Sequence, residues 1–325
     1  MRLDAKDRKI LYQLDLNARQ SNAEIGRKVR LSPEVVYYRI KNLEKRGVIE
    51  YYYTTIDPSK FGYKAYRVYI KTQNLTLERE REIIGWLVNN KRTWWVLSVS
   101  GKYDIDILWW VKDDYEFEEE WLNFSKNFRE HIDAKHIQIY TRLYHFHRAY
   151  LIDKKIDDEP EHAIFSRERI KLDETDFKIL RELSVNARES LVSLSARIGI
   201  SPKNIYYRIN RLIKEGVIVA FRAKINLEKI GYRYYKIEIN LNNYSNIQKL
   251  YNFAKLHPYI TYVNQVIGLA DFDFDVEVPT ERHLFRLIDE IRAEFGKDIR
   301  DIAYLTIKKV YKISYFPLSE FPLTI

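Results

Sequence analysis

Apolar residues recur at helical spacing from the start of the chain: Ile10, Leu11 and Leu14 share one face, and Asp4 stands where a helix needs an N-cap. The stretch Ser21 to Glu24 follows, and its Ser-x-x-Glu spacing lets each end satisfy a free backbone N–H, predicting a second helix. After a short turn, Ser32 caps a third helix with Pro33 at its first position, where the missing N–H costs nothing. Val36, Ile40 and Leu43 fall on one stripe of that helix, and Gly47 ends it. The β-prone run VIEYYYTTI then predicts a two-stranded wing. Beyond it the pattern changes to strand, helix, strand, strand, helix, strand: YRVYIKT, EREREIIGWLVNN, WWVLSVS, DIDILWW, DYEFEEEWLNFSKNFRE and HIQIYTRLYHFHRAYL. That is a ferredoxin-like order, with helices on one sheet face and the other face free to pack on something.

The whole pattern occurs twice. Leu3-Asp4, Ile10-Leu11, Asn17-Ala18-Arg19, Ser32-Pro33, Tyr37 to Ile40 and Gly47-Val48-Ile49 return 169 positions later, as Leu172-Asp173 through Gly216-Val217-Ile218. In the second half the match continues at a shift of 167, placing Gly101 on Gly268, Asp104 on Asp271 and Phe128 on Phe295. The fold class is therefore α+β: winged helix-turn-helix heads at 1–62 and 171–231, and ferredoxin-like domains at 63–150 and 232–316. The charged stretch 151–170 is the expected linker, and 317–325 a tail. Each sheet is expected to cover the open face of its sister, making one chain a pseudo-dimer.

Charge sharpens the reading of the heads. The chain carries a formal charge of +9, and residues 1–50 hold 12 basic against 7 acidic groups, residues 171–220 9 against 6. Three short helices with a tight turn before the third are the geometry that lays one helix in the major groove. The candidate DNA-contacting face of the first head is Ser32, Glu34, Val35, Tyr37, Tyr38, Lys41, Asn42 and Lys45. In the second head it is Ser201, Lys203, Asn204, Tyr206, Tyr207, Asn210, Arg211 and Lys214. Asn, Arg and Lys can address base edges, whereas Tyr hydroxyls and Lys ammoniums mostly meet phosphates. A basic, tyrosine-rich face standing twice in the same structural place points to double-stranded DNA as the partner.

These segments resemble the Lrp/AsnC (feast/famine) transcription regulators of bacteria and archaea. The resemblance rests on Leu3-Asp4, Asp7, Ile10-Leu11, Asn17-Ala18-Arg19, Leu31-Ser32-Pro33, Arg39, Leu43, Gly47-Val48-Ile49 and Asp57 through Gly62, and it covers nearly the whole chain, twice. It implies a small-molecule effector, often an amino acid, and the turn Gly101-Lys102-Tyr103-Asp104 is similar to the family's Gly-x-aromatic-Asp turn. The second copy reads Gly268-Leu269-Ala270-Asp271 and lacks the aromatic. The resemblance is also compatible with contacts to the transcription machinery and with a larger homo-oligomer of pseudo-dimers. Siroheme decarboxylases, enzymes that resemble fused Lrp/AsnC pairs, are the alternative reading; their His-Cys-Tyr-x-Arg stretch after the middle strand is replaced here by VLSVSGKYD.

Other chemistry finds little support. The sequence has no cysteine, which removes thiolate catalysis, disulfides and Cys-ligated zinc. It shows no Gly-rich phosphate loop, nucleophile elbow or zinc-protease helix, and a non-enzyme without a cofactor is expected. His145 and His147 alternate on one strand, with His131 and His136 near, but in no metal-ligand spacing, so no metal is assigned. The aromatic pairs Trp94-Trp95 and Trp109-Trp110 and the run Tyr51 to Tyr53 are expected in core and interface. Asp271, Asp273 and Asp275 are expected to be solvated or paired with basic groups of a partner. No apolar run approaches the roughly 18 residues of a membrane span, and MRLDAKDRKIL is no secretory signal, so a cytoplasmic protein is expected. One Met and 31% charged residues lean toward a thermophile. Because the two outward helix faces differ, Arg211→Ala is expected to weaken one DNA half-site and spare the other, as footprinting of each half would read.

Overall fold

The computed structural model describes residues 3–152 and 162–317; parts of the expected linker (153–161) and tail (318–325) lie outside the described residues. Head 1 consists of α1 (Ala5–Leu16), α2 (Asn22–Val29), α3 (Pro33–Lys45) and the strand β1 (Ile49–Ile56). Its sensor-type domain runs β2 (Lys64–Thr72), α4 (Leu77–Asn89), β3 (Thr93–Ser100), β4 (Ile105–Val111), α5 (Asp114–Phe128) and β5 (Ile132–His145). A short β6 (His162–Ile164) precedes head 2, which is α6 (Glu174–Val185), α7 (Leu191–Ile198), α8 (Pro202–Lys214) and β7 (Ile218–Ile225). The second sensor-type domain is β8 (Arg233–Leu241), α9 (Ile247–Leu256), β9 (Ile260–Ile267), β10 (Phe272–Val278), α10 (Glu281–Phe295) and β11 (Ile299–Ile313).

The predicted caps Asp4, Ser21 and Ser32 form, and Ser190 and Ser201 do the same in head 2, each accepting a backbone N–H in the first turn of the helix that follows; Ser21 with Glu24 makes the reciprocal box. The wing differs from expectation. Neither VIEYYYTTI nor VIVAFRAKI folds back on itself, because neither holds a residue suited to a tight reversal. Each makes a single strand, and β1 pairs antiparallel with β7, so the wing is shared between the heads.

The two ferredoxin-like sheets also do more than face each other. β5 and β11 are 14 and 15 residues long, about twice what their own sheets need. The first half of β5 pairs with β2 and the second half with β9; β11 likewise serves β8 and then β3. Eight antiparallel strands thereby close into a ring in the order β2, β4, β3, β11, β8, β10, β9, β5, the copies being joined by the β11–β3 and β5–β9 pairings. Tyr66, Val68, Ile107 and Trp109 face the helices of the first copy, and Ile237, Ile239, Phe272 and Phe274 those of the second.

Inside the ring the alternate residues are charged. Asp273 and Asp275, expected to be solvated or partnered, are fully buried and partnered. Lys236 Nζ lies 2.8 Å from both, and Asn264 donates to Asp275 at 2.9 Å. Arg67 of the first copy reaches across, 2.8 Å from Asp106 and 3.4 Å from Asp273. A second buried cluster lies where the heads meet the ring. Arg148 spans Asp15 of head 1 (2.6 Å) and Glu277 of β10 (2.8 Å), and Arg222 of head 2 approaches Asp15 at 3.2 Å. Burial opposes ionisation of Asp15, but Arg222 and Arg148 outweigh it and hold its pKa near 2. His145 and His147, the strand pair weighed as metal ligands, are buried here; His145 stacks on Tyr262 at 3.9 Å.

The pseudo-equivalent place in the other half is aromatic. Trp94 stacks on Trp110 at 4.1 Å, Tyr53 on Tyr315 at 5.9 Å, and the indole N–H of Trp110 donates to the Ser314 carbonyl at 3.2 Å. The tryptophan pairs and Tyr52 and Tyr53 are therefore core and interface, as their β-strand setting predicts.

Asp106 gives a pH prediction. Burial pushes its pKa up to about 6 against the pull of Arg67 and Lys236, above its ordinary 3.8. A carboxyl whose folded pKa is raised lends stability below its unfolded pKa and loses it as pH rises through the folded value. The contribution is expected to fall by about 3 kcal/mol between pH 4 and 6, at about 1.4 kcal/mol per pH unit. Urea unfolding across that range should show the slope in the native chain and its loss in Asp106→Asn.

Candidate nucleic-acid interface

Each head is built to present its third helix. The turn from α2 to α3 is so tight that a Cβ on Gly26 would lie 2.6 Å from the Leu31 carbonyl oxygen. In head 2 the same place holds Ser195, whose hydroxyl donates to the Ile200 carbonyl at 2.7 Å, so the crowding becomes a hydrogen bond. Arg39 then ties α3 to the start of α1, 2.8 Å from Asp4 and 2.7 Å from Asp7. Arg208 repeats this with Asp173 and Asp176, both at 2.8 Å. Val36, Ile40 and Leu43, and Ile205, Ile209 and Leu212, are buried beneath.

All sixteen residues expected to face DNA are exposed. Tyr38 is 73% exposed, Tyr207 58%, Tyr37 56%, Tyr206 53% and Val35 42%. Aromatic rings left this bare are available to a partner, and their burial against one would be favourable. Their roles differ in detail. Ser32 and Ser201 are the caps, accepting from Val35 N–H and Asn204 N–H. Lys41 lies 2.8 Å from Glu44 and close over Tyr37, and Lys203 lies over Tyr207. Glu34, Asn42, Lys45, Asn210 and Lys214 stand on the outer face of their helices. Arg211 is bonded to Asp176, itself fully buried, and lies near Glu215. Its guanidinium is thus part of the joint that holds α8.

The two helices are also held in fixed relation to each other. Arg19 donates to the carbonyls of Ala187 (2.7 Å) and Glu189 (2.9 Å), and Arg188 returns the contact to Ala18 (2.8 Å). Ala18 N–H bonds to Phe221 and Ala187 N–H to Tyr52, each on the partner head's strand. The repeated Asn-Ala-Arg turn is therefore a reciprocal clasp between heads.

The turn Gly101 to Asp104 has a packing role. Gly101 sits at φ 129°, and a Cβ there would lie 3.2 Å from Leu305 of β11. Gly268 is pressed harder, its Cβ position 2.6 Å from the Ile137 carbonyl of β5. Both glycines thus yield space to the long strand of the sister copy. Tyr103 is buried and stacks on Tyr69 at 4.8 Å, and Asp104 accepts from Thr72 N–H and hydroxyl at 2.8 and 2.9 Å.

Sequence reasoning missed Asp15, Arg148, Arg222 and Glu277. A signal did exist: across the duplication they correspond to Ser184, Tyr315, Tyr53 and Trp110, so each charge stands where the other copy has a small or aromatic residue.

Two exposed, basic, aromatic recognition helices clasped together define a DNA-binding protein of the helix-turn-helix class. Comparison with known proteins agrees. A family model for the winged helix-turn-helix DNA-binding domain matches residues 3–50 and again 172–219. An HTH-type transcriptional regulator of Pyrococcus abyssi is 36% identical over 148 residues, which is 45% of this chain and 92% of the relative. A Pyrococcus horikoshii regulator is 28% identical over 144 residues, covering 42% of this chain and 96% of the relative. A second P. abyssi regulator matches only over 60 residues, at 44% identity, 18% of this chain and 40% of that one. Among solved structures, the siroheme decarboxylase NirDL has this fold over its length: TM-score 0.62, 11% identity, covering 96% of this chain and 94% of that one. The chain belongs to the HTH-type transcriptional regulators, with the DNA-binding unit present twice.

Lys203→Ala and Lys214→Ala are expected to lower DNA affinity, each reducing the salt slope by about one, with unchanged thermal unfolding. Arg211→Ala is expected instead to lower the melting temperature of the chain, since Asp176 loses one of two guanidinium partners.

Proposed function

We propose that this regulator binds one asymmetric operator with two unlike half-sites, each read by one head of a single chain. The observation that carries this reading is the difference between two equally exposed helices held by one clasp. Head 1 offers Glu34, Val35, Lys41 and Asn42 where head 2 offers Lys203, Asn204, Asn210 and Arg211. Glu34 accepts hydrogen bonds and suits a cytosine amino group, whereas Lys203 and Asn204 donate toward guanine and adenine edges. A pair of heads related by pseudo-two-fold symmetry sets the half-sites one helical turn, or a small multiple, apart. Arg211 contributes by fixing α8, and Lys203, Asn204 and Asn210 are the base-reading candidates of that head.

Likeness to NirDL is a likeness of fold, and the stretch 96–104 contains neither histidine nor arginine. The DNA reading therefore stands ahead of tetrapyrrole chemistry.

Selection of bound duplexes from a random library at two salt concentrations tests the proposal. The expected result is one enriched motif with two different halves at fixed spacing, and a relaxed spacing requirement in the Arg19→Ala/Arg188→Ala variant. Salt-abolished binding without a motif, or a palindromic motif, would overturn it.

A further inference from the structure

The duplication supplies an internal template for a binding site. Where head 1 joins its ring strand, residues 162–170 fill a cleft. β6 adds to the free edge of β5, pairing Ile164 with Leu143 and Ala163 with Tyr144. Asp57 then accepts the N–H groups of Phe165 (3.2 Å) and Ser166 (3.3 Å), and Lys60 meets Glu168 at 2.6 Å. The Lys60 carbonyl accepts from Ile170 at 2.7 Å. A segment of extended chain is thus held by strand addition at one end and by the head's exit loop at the other.

The corresponding place in the second copy is an open cleft of about 540 Å³. β8 leaves β11 at Thr306, just as β2 leaves β5 at Ile139. From Ile307 to Ile313 the edge that β8 vacates has no strand partner among the described residues. Asn226, an amide acceptor, stands at the position of Asp57 and also lines the cleft. The walls differ in charge. Lys224, Arg233, Lys308 and Lys309 line the open cleft, against Glu50 and Glu228. Their counterparts in the filled cleft are Thr55, Lys64, Thr141 and Arg142, and those of Glu50 and Glu228 are Val219 and Ser59, so two cations and two carboxylates have been added and four cations stand against two carboxylates. Lys224 is half-buried, and desolvation lowers its pKa, which an approaching carboxylate would relieve.

We propose that this cleft receives an extended acidic segment of a partner protein, which adds as a strand to β11 and sets its carboxylates against Lys224, Arg233, Lys308 and Lys309. Main-chain pairing supplies affinity in such strand addition, and the alternate side chains supply selectivity. The cleft is lined by none of the sixteen recognition-helix positions, so the inference stands independently of the operator reading.

The test uses the full chain without DNA and a fluorescein-labelled nonapeptide, EAIFSEEEI, patterned on residues 162–170 with its basic positions made acidic. Saturable binding by fluorescence anisotropy is expected, weakened about tenfold or more in Lys308→Glu/Lys309→Glu. Binding is expected to be unchanged in Arg142→Glu, which alters the filled cleft. Hydrogen exchange of the backbone amides from Ile307 to Ile313 is expected to slow when the peptide binds. Absence of saturable binding up to about 1 mM peptide, equal binding by the double variant, or binding without slowed exchange in β11 would each overturn the proposal.

Discussion

The structure depends on buried opposite charges contributed by different copies of the repeat. Arg67 of the first copy lies against Asp273 of the second, and Arg148 joins Asp15 to Glu277. Charges this deep cannot be left alone: removing one partner of such a pair costs about 3–5 kcal/mol. The two ring halves are therefore committed to each other. A ring of two second copies would bring Asp273, Asp275, Glu277 and Glu238 together twice, without the Arg67 and Arg148 that answer Asp273 and Glu277 here. A ring of two first copies would leave Arg148 without Glu277. The aromatic half of the interface, with Trp94, Trp110, Tyr53 and Tyr315, supplies burial, and the charged half supplies selectivity.

This commitment positions the heads. Asp15 belongs to α1 and Arg222 to β7, so the charged cluster reaches from the ring into both heads at once. The shared wing and the Arg19 and Arg188 clasp complete the joint. The two recognition helices thus share one base, joined through the charged cluster, the wing and the clasp.

Much of this was legible in the sequence because it is local. Capping residues, the Val36, Ile40, Leu43 stripe and the order of strands and helices all follow from short-range periodicity, and the repeat identified itself through Asn-Ala-Arg and Gly-Val-Ile. What could not be read is what one copy does to the other. The run from Ile49 to Ile56 has the composition of a strand, but nothing in it says that its partner is β7, 169 residues away in the repeat's register. The alternation of Asp273 and Asp275 looks like a solvated face until Arg67 and Lys236 are placed opposite. Arg211 carries the chemistry of base recognition, and only the position of Asp176 shows that it is already engaged. The Gly101 turn carries a family signature, yet its glycine is also what lets β11 cross it.

Closing the ring within one polypeptide changes how occupancy depends on abundance. Two separate subunits must first find each other, so at low copy number an operator sees mostly half-molecules. Here the second head arrives with the first at any dilution, at the effective concentration set by a rigid scaffold rather than by the cell. Occupancy then rises with the first power of the number of chains, and the regulator can act at scarcities where a dissociating dimer would fall silent. The two heads are also encoded apart, so a substitution in one recognition helix leaves the other unchanged.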